Sequence, residues 1–99
     1  MELIFSANAV YMLASRKHGT IYIGVTSQLV QRISEHKART RPGFTSRYGV
    51  TRLVWFERFD AIEDAIRREK SLKRYPRAWK INLIERDNPN WDVLFPALL

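Results

Sequence analysis

Hydrophobic and polar positions alternate in two short runs near the start of the chain. Between residues 21 and 25, isoleucine or valine occupies every second position and Tyr22 and Gly24 lie between them, which is typical of a half-buried strand. The apolar run at residues 9–14 predicts the strand before it. Residues 15–19 are polar and end in glycine, so we expect a hairpin that joins the two strands.

Each strand of this hairpin carries a tyrosine. If the turn is centred between Arg16 and Lys17, Tyr11 lies directly opposite Tyr22. The sequence therefore predicts two tyrosines on one face of the sheet, where they would line a shared pocket.

The segment after the second strand has helical periodicity. Ser27 is a suitable N-cap for a helix over residues 28–37. Because of their spacing, four residues of this helix share one face: Leu29, Arg32, Ile33 and His36. An inward stripe that carries an arginine and a histidine is the first sign of a site.

The second half of the chain predicts one more strand and two helices. Residues 52–59 form a nearly continuous apolar and aromatic run, typical of a central strand covered on both faces. Asp60 and Glu63 have the spacing of a capping box, which predicts the start of the next helix. The inward stripe of that helix consists of Ile62, Ala65, Ile66, Glu69 and Leu72.

The last helix is followed by an apolar tail. Pro76 ends the preceding helix and suits the first position of the last one. The predicted inner face of the last helix consists of Trp79, Leu83 and Ile84. The tail at residues 86–99 is expected to pack on the domain, and residues 1–5 to form an edge strand or a flap.

The predicted order of elements is strand, strand, helix, strand, helix, helix. This order predicts an α/β fold with a small three-stranded, largely antiparallel sheet flanked by helices. The sequence shows no internal repeat and no low-complexity stretch. We therefore expect residues 1–99 to form a single domain with its core at about residues 8–85.

Composition favours a polyanionic partner. The 99 residues include 17 basic and 10 acidic side chains, which gives a net charge of +7. Positive charge that is clustered in this way is most often the footprint of nucleic acid, and solubility alone is the other explanation. Basic and aromatic residues that would contact the nucleic acid are Arg39, Arg41, Phe44, Arg47, Tyr48, Lys70, Lys73 and Arg74.

Several other classes of site and location are excluded by composition. Without cysteine the chain has no disulfide, no thiolate zinc site and no thiol nucleophile. Two histidines are too few for a histidine-rich metal cage, so a metal would have oxygen ligands. No stretch approaches transmembrane length, and residues 1–5 are too short and too acidic for a signal peptide, so we expect a cytoplasmic protein with no membrane partner.

Four polar side chains fall on inward faces of neighbouring elements: Tyr22, Arg32, His36 and Glu69. Each has a structural explanation on its own; Glu69, for example, could pair with Arg32 or with a neighbouring lysine. Burying several such groups together costs free energy and suggests a shared role. In a basic protein they suit phosphodiester chemistry, in which a carboxylate holds a divalent cation, an arginine stabilises phosphoryl charge, and a phenol or an imidazole takes a proton from water.

Two tripeptides carry a family resemblance. Ala-Val-Tyr at residues 9–11 and Tyr-Ile-Gly at residues 22–24, with ten residues between their tyrosines, resemble the paired tripeptides of the GIY-YIG nuclease family. Arg32, His36 and Glu69 follow in the family's order and on the expected elements. The chain is most similar in size to the small stand-alone bacterial members.

The resemblance implies a metal-dependent endonuclease that acts on DNA and leaves a 3′-hydroxyl and a 5′-phosphate. Tyr22 would be the general base or would position the attacking water, and Tyr11 would contact the scissile phosphate or the water. Arg32 would clamp the phosphate, Glu69 would anchor one Mg²⁺ or Mn²⁺, and His36 would tune the base. Cleavage is expected to be structure-selective or weakly sequence-specific, because so small a domain has few side chains to read bases.

The sequence departs from the family pattern in two places. Ala9 and Val10 replace the usual glycine and isoleucine of the first tripeptide, which we interpret as packing changes that leave Tyr11 usable. Many relatives also carry an asparagine downstream of the metal glutamate, and here the nearest, Asn82, lies one position beyond the usual spacing.

Two other functions stay open at this point. A non-catalytic nucleic-acid-binding module with the same fold would use the same basic residues, so that only metal-dependent cleavage distinguishes it from a nuclease. A protein-interaction domain that uses the apolar tail would form a stable dimer and bind nucleic acid weakly; no stable protein partner is evident from the sequence.

Overall fold

The computed structural model describes residues 7–38, 43 and 47–94. Within these residues one antiparallel sheet has the strand order β2-β1-β3, formed by β1 (Ala9–Ala14), β2 (Ile21–Thr26) and β3 (Arg52–Arg58). The helices outside it are α1 (Leu29–Ala38), α2 (Ile62–Lys73) and α3 (Arg77–Asp87). The predicted order of elements and the predicted α/β fold are confirmed. No helix of the described part is both long and apolar enough to cross a membrane.

Helices cover both faces of the sheet. One face combines Ala9, Tyr11 and Leu13 of β1 with Leu29 and Ile33 of α1. The other combines Val10, Met12 and Ala14 of β1 with Ala65 and Leu72 of α2 and Ile84 of α3. The strand β1 is therefore buried along its whole length, and the two outer strands form the edges of a three-layer arrangement.

The position of β3 differs from the prediction. It is an edge strand and β1 is the central one, so the apolar run of β3 does not reflect a strand on each side. The chain after α3 returns to β3 instead: the N–H of Leu94 donates to the carbonyl of Leu53 at 2.8 Å, and the amide of Asn88 donates to the carbonyl of Val54 at 3.0 Å. These bonds satisfy carbonyl groups of an edge strand. Trp91 is fully buried beside them, whereas residues 95–99 and residues 1–5 lie outside the described residues.

The hairpin register also differs from the prediction. Tyr11 pairs with Gly24, not with Tyr22, and the turn is centred between Lys17 and His18. This register is displaced by two residues, which keeps both tyrosines on one face because side chains alternate with period two. His18 adopts a left-handed backbone conformation (φ 59°) that closes the turn.

The helix starts lie one residue later than predicted. The backbone carbonyl of Gln28 accepts the first bond of α1, from the N–H of Arg32 at 2.9 Å, so Gln28 and not Ser27 is the N-cap. The hydroxyl of Thr26 accepts the N–H of Gln28 at 2.9 Å and turns the chain out of β2. Pro76 is likewise the N-cap of α3 rather than its first residue.

The predicted capping box of α2 is wrong. Its N-cap is Ala61, which makes no side-chain capping bond. Asp60 lies one residue too early, and its carbonyl accepts the side-chain amide of Asn8 at 3.0 Å. Glu63 and Asp64 still lie in the first turn, where negative charge complements the helix dipole.

The predicted inner face of α3 is partly wrong. Leu83 and Ile84 are buried, but Trp79 is 57% exposed. In the first turn of α3 its neighbour is Tyr75 of the α2–α3 connection, with the ring centroids 5.4 Å apart and nearly perpendicular.

A cluster around Glu85 joins the hairpin turn to α3. The indole N–H of Trp91 and the Nε2 of His18 each lie 2.8 Å from Oε2 of Glu85. The imidazole also packs edge-on against the indole at 5.3 Å. Arg77 adds two bonds of 2.7 Å to the carbonyls of His18 and Gly19.

The Glu85 cluster predicts a pH dependence of stability. The hydrogen bonds from Trp91 and then His18 hold the pKa of the Glu85 carboxyl below its usual value of 4.5. A carboxyl with a lowered pKa stabilises the folded state above its unfolded pKa, and this contribution is lost as the pH falls through the folded pKa. We therefore expect Glu85→Gln to unfold at a lower temperature than the wild type at neutral pH, with the difference closing below pH 4.5.

Thermal unfolding at a series of pH values measures this difference. Asp60→Asn, which neutralises an exposed carboxylate outside the helices, is the control. A stability difference between Glu85→Gln and the wild type that does not change with pH would contradict the assignment.

Candidate active site

The ring of Tyr11 lies across β2 at Gly24. Tyr11 is fully buried, and a Cβ placed on Gly24 would lie 2.9 Å from Cε1 of Tyr11 and closer still to the tip of its ring. Atoms this close overlap, so a side chain at residue 24 would force the ring or the strand to move. The close packing therefore requires glycine at this position. The missing side chain at residue 24 therefore makes room for the tyrosine on the neighbouring strand.

Three aromatic rings meet on this face of the sheet. The hydroxyl of Tyr11 and Nε2 of His36 share a hydrogen bond of 3.1 Å, in which Tyr11 donates when Nε2 is the unprotonated nitrogen. The ring centroid of His36 lies 5.8 Å from those of both Tyr11 and Tyr22, and the two tyrosine centroids are 6.4 Å apart. The structure thus brings together two phenols and an imidazole from three elements.

The helix α1 sets the position of His36 and Arg32. Leu29 and Ile33 are each 1% exposed and hold the helix against the sheet. Arg32 and His36 lie one turn apart on the flank of that buried stripe and are half-buried. The Nε of Arg32 is 3.5 Å from a carboxylate oxygen of Glu35. A pair this exposed is weak, so it competes little with a phosphate for the guanidinium.

A cavity of about 430 Å³ opens where α1, α2 and the end of β2 meet. Its lining consists of Val25, Thr26, Ser27, Gln28, Gln31, Arg32, Glu35, Ile62 and Ile66. Arg32 is the predicted site residue among them. Because His36 follows Arg32 by one turn, α1 connects this cavity to the aromatic cluster.

Glu69 approaches from the other face of the sheet. Ile62, Ile66 and Glu69 form one stripe of α2, and the first two line the cavity. Glu69 therefore lies one turn beyond the cavity on the same stripe, and its side chain is 14% exposed. Its carboxylate lies 3.1 Å from Nζ of Lys73, so the neighbouring lysine and not Arg32 is its ion-pair partner. In the described residues no cluster of three or more His, Asp or Glu side chains could hold a metal.

The predicted nucleic-acid contacts lie partly within the described residues. Those that are described are all exposed: Arg47, Tyr48, Lys70, Lys73 and Arg74. The guanidinium of Arg47 stacks over the ring of Tyr48 at 5.6 Å. Arg39, Arg41 and Phe44 lie outside the described residues.

Sequence reasoning missed part of the cavity wall. Ile66 was expected in the core but is 37% exposed and lines the cavity. Gln28, Gln31 and Glu35 form a polar stripe beside Arg32, and this i, i+3, i+7 spacing was the available signal. Asn82 lines a different groove, which shares no residue with the cavity.

Comparison with known proteins identifies the family. A family model described as the GIY-YIG catalytic domain matches residues 7–82. The chain belongs to the GIY-YIG family. The resemblance predicted from the paired tripeptides is confirmed.

Relatives and a solved structure support this membership. The UPF0213 protein of Natronomonas pharaonis is 35% identical over 75 residues, which cover 76% of this chain and 87% of the relative. The UPF0213 protein of Clostridium perfringens is 35% identical over 77 residues, which cover 78% and 82%. The solution NMR structure of the UPF0213 protein BH0048 from Bacillus halodurans is 31% identical, with a TM-score of 0.52 over 82% of this chain and 85% of that one.

The packing of the Tyr11 ring against Gly24 predicts that Gly24→Ala lowers the free energy of unfolding. The added methyl group overlaps the ring of Tyr11, and overpacking of this kind destabilises a core by about 1–3 kcal/mol. We expect urea unfolding to show a decrease of this size in the free energy of unfolding.

The matched experiment repeats the substitution in a Tyr11→Leu background. Leucine lacks the ring tip that the methyl group would meet, so the cost of Gly24→Ala should become smaller there. An equal cost in both backgrounds would contradict the role of this contact.

Proposed function

We propose that this GIY-YIG protein is a metal-dependent endonuclease that hydrolyses phosphodiester bonds in DNA. Cleavage would leave a 3′-hydroxyl and a 5′-phosphate, with structure-selective or weakly sequence-specific choice of site. The observation that carries the proposal is the hydrogen-bonded pair of Tyr11 and His36 beside Tyr22, in a chain of net charge +7 from a nuclease family.

Tyr22 is the proposed general base, or the group that orients the attacking water. Its ring is half-buried on the edge strand β2, where a substrate can reach it. A neutral phenol is a poor base, so catalysis requires neighbouring positive charge that favours the phenolate. Arg32, on the helix that follows β2, is one source of that charge.

Tyr11 and His36 act as one unit in this proposal. Since Tyr11 is fully buried, its hydroxyl is fixed by the bond to Nε2 of His36. Through the half-buried His36, the pair would hold the water or the scissile phosphate beside Tyr22, and His36 would tune the base. Arg32, one turn away, would donate to the phosphate oxygens and stabilise the charge that develops on them.

The carboxylate of Glu69 suits a hard divalent cation, Mg²⁺ or Mn²⁺. Glu69 is a largely buried acid on an otherwise apolar stripe beside a cavity, and such cations accept one carboxylate with water and phosphate oxygens as the other ligands. When bound, the cation would withdraw charge from the phosphate and lower the pKa of a coordinated water. The ammonium of Lys73 is half exposed, so it can turn from Glu69 towards a phosphate.

The exposed basic residues would dock the DNA. Lys70 and Lys73 follow Glu69 on α2, Arg74 is the C-cap of this helix, and Arg47 and Tyr48 precede β3. Contacts of this kind go to phosphates and make binding salt-dependent without reading sequence. Binding alone would therefore also fit a non-catalytic nucleic-acid-binding module. The ion pair between Glu69 and Lys73 supports this alternative, because it occupies the carboxylate that a metal would need.

The proposal predicts loss of metal-dependent cleavage in Glu69→Gln and Tyr22→Phe. The first substitution removes a charge at constant size and the second removes only a hydroxyl. Loss of a general base costs about 10²–10⁴ in rate, and we expect at least the lower figure for both. Nicking of supercoiled plasmid with Mg²⁺ or Mn²⁺ against EDTA measures it, with unfolding curves to show that each variant is folded.

Glu63→Gln is the matched control, because it neutralises an exposed carboxylate in the first turn of the same helix. It should cleave like the wild type, and all variants should keep DNA binding. A wild-type protein that binds but never cleaves plasmid, branched DNA or RNA would overturn the proposal in favour of the binding module.

A further inference from the structure

Trp79 is exposed in a way that its helix does not explain. The chain has three tryptophans; Trp55 is 5% exposed and Trp91 is fully buried, whereas Trp79 is 57% exposed. Its one ring neighbour in the described residues is Tyr75, which meets it edge-on at 5.4 Å. The hydroxyl of Tyr75 is 3.5 Å from a guanidinium nitrogen of Arg68, which ties that ring to α2.

Two grooves meet at this aromatic pair. The larger, of about 490 Å³, is lined by Tyr75 and Trp79 with Arg67, Lys70, Ser71 and Arg74. The smaller, of about 280 Å³, is lined by the same two rings with Asn82, Leu83 and Arg86. The two rings thus separate two grooves that each contain cations.

The charge of these grooves is one-sided. Among the described residues, no acidic side chain lines either of them. Arg67 and Arg86 pair with Asp64 and Asp87 outside the grooves, whereas no ion pair recorded within residues 47–94 involves Lys70 or Arg74. An exposed aromatic ridge beside Lys70 and Arg74, which have no acidic partner among the described residues, complements a chain that carries both phosphates and planar bases.

We propose that Trp79 and Tyr75 form a base-stacking platform for unpaired nucleotides of a single strand, whose phosphates lie on Lys70 and Arg74. Duplex DNA does not fit this platform, because its bases are stacked within the helix and present no open face to a ring. Unpaired bases of any type offer a face on which an aromatic side chain stacks. In its choice of nucleic acid as the partner this inference rests on the proposed function.

The platform's cations follow Glu69 along the chain, at the end of the same helix. Lys70 follows Glu69 directly, and Arg74 lies five residues, or about 7.5 Å along the axis, beyond Glu69. That distance corresponds to about two steps of a stacked strand. The substrate class is therefore DNA in which a single strand adjoins the bond to be cut, as at branches and flaps.

The test is binding of a short labelled oligothymidylate, and of a duplex of equal length, in EDTA so that no cleavage occurs. Fluorescence anisotropy gives the affinities of the wild type, Trp79→Ala, Trp79→Phe and Lys70→Ala. Val30→Ala, which shortens another exposed apolar side chain on α1, is the matched control. Intrinsic emission of the wild type is followed as well, since Trp79 is the exposed tryptophan.

We expect the oligothymidylate to quench the emission, and Trp79→Ala to weaken single-strand affinity about tenfold while duplex affinity stays unchanged. Trp79→Phe should keep most of the affinity. Because stacking involves no charge, Trp79→Ala should leave the slope of log affinity against log salt unchanged, whereas Lys70→Ala should reduce it by about one.

Three results would overturn the platform: no quenching in the wild type, an equal effect of Trp79→Ala on single strand and duplex, or no effect on either. A change of oligomeric state in Trp79→Ala, seen by light scattering without loss of single-strand affinity, would identify a protein interface instead. If Trp79→Ala does not fold, quenching of the wild-type emission by the oligothymidylate still decides.

Together with the plasmid cleavage assay, these binding measurements distinguish this inference from the proposed nuclease. Single-strand binding through Trp79 in a protein that never cleaves would refute the nuclease and keep the platform. Cleavage by the wild type, with unchanged single-strand affinity in Trp79→Ala, would refute the platform and keep the nuclease.

Discussion

The ring of Tyr11 lies across β2 at Gly24, and this contact depends on the absence of a side chain at residue 24. From there the hydroxyl of Tyr11 reaches His36 and its ring meets Tyr22. His36 comes from α1, whose buried stripe packs on the same face of the sheet, so Arg32 takes its position from the same helix. One close approach between two strands therefore sets the geometry of a phenol pair, an imidazole and a guanidinium.

Sequence-based prediction was correct for the features of the fold that hydrophobic periodicity determines. It was wrong for the features on which periodicity carries no information. Alternation and helical spacing gave the order of elements. A displacement of two residues leaves alternation unchanged, so the pairing of Tyr11 with Gly24 could not be read from the pattern. An apolar strand looks the same whether a strand or a returning tail covers it, and for that reason β3 was placed at the centre rather than at the edge. Capping residues such as Asp60 are common near helix starts, and backbone contacts decide which residue is the cap.

For the candidate site, residue types and faces could be predicted from the sequence, but their partners could not. Two tyrosines on one face followed from alternation, whereas the bond between Tyr11 and His36 joins residues 25 positions apart and needs the packed structure. The choice of Lys73 as the partner of Glu69 depends on the reach of two side chains on α2. Trp79 shows the same limit. The helical spacing of apolar residues predicts that it lies on the inner face of α3, whereas in the structure its ring contacts Tyr75.

A working nuclease site requires Glu69 and the ring cluster to meet at one edge of the sheet, although α2 and α1 cover opposite faces. The most direct measurement is the paramagnetic broadening of NMR signals by substoichiometric Mn²⁺, which affects only nuclei close to the ion. We predict that signals of Tyr22, His36 and Glu69 broaden first, that Mg²⁺ reverses the effect, and that Glu69→Gln abolishes it. Broadening that is centred on other carboxylates, or that persists in Glu69→Gln, would contradict a shared site.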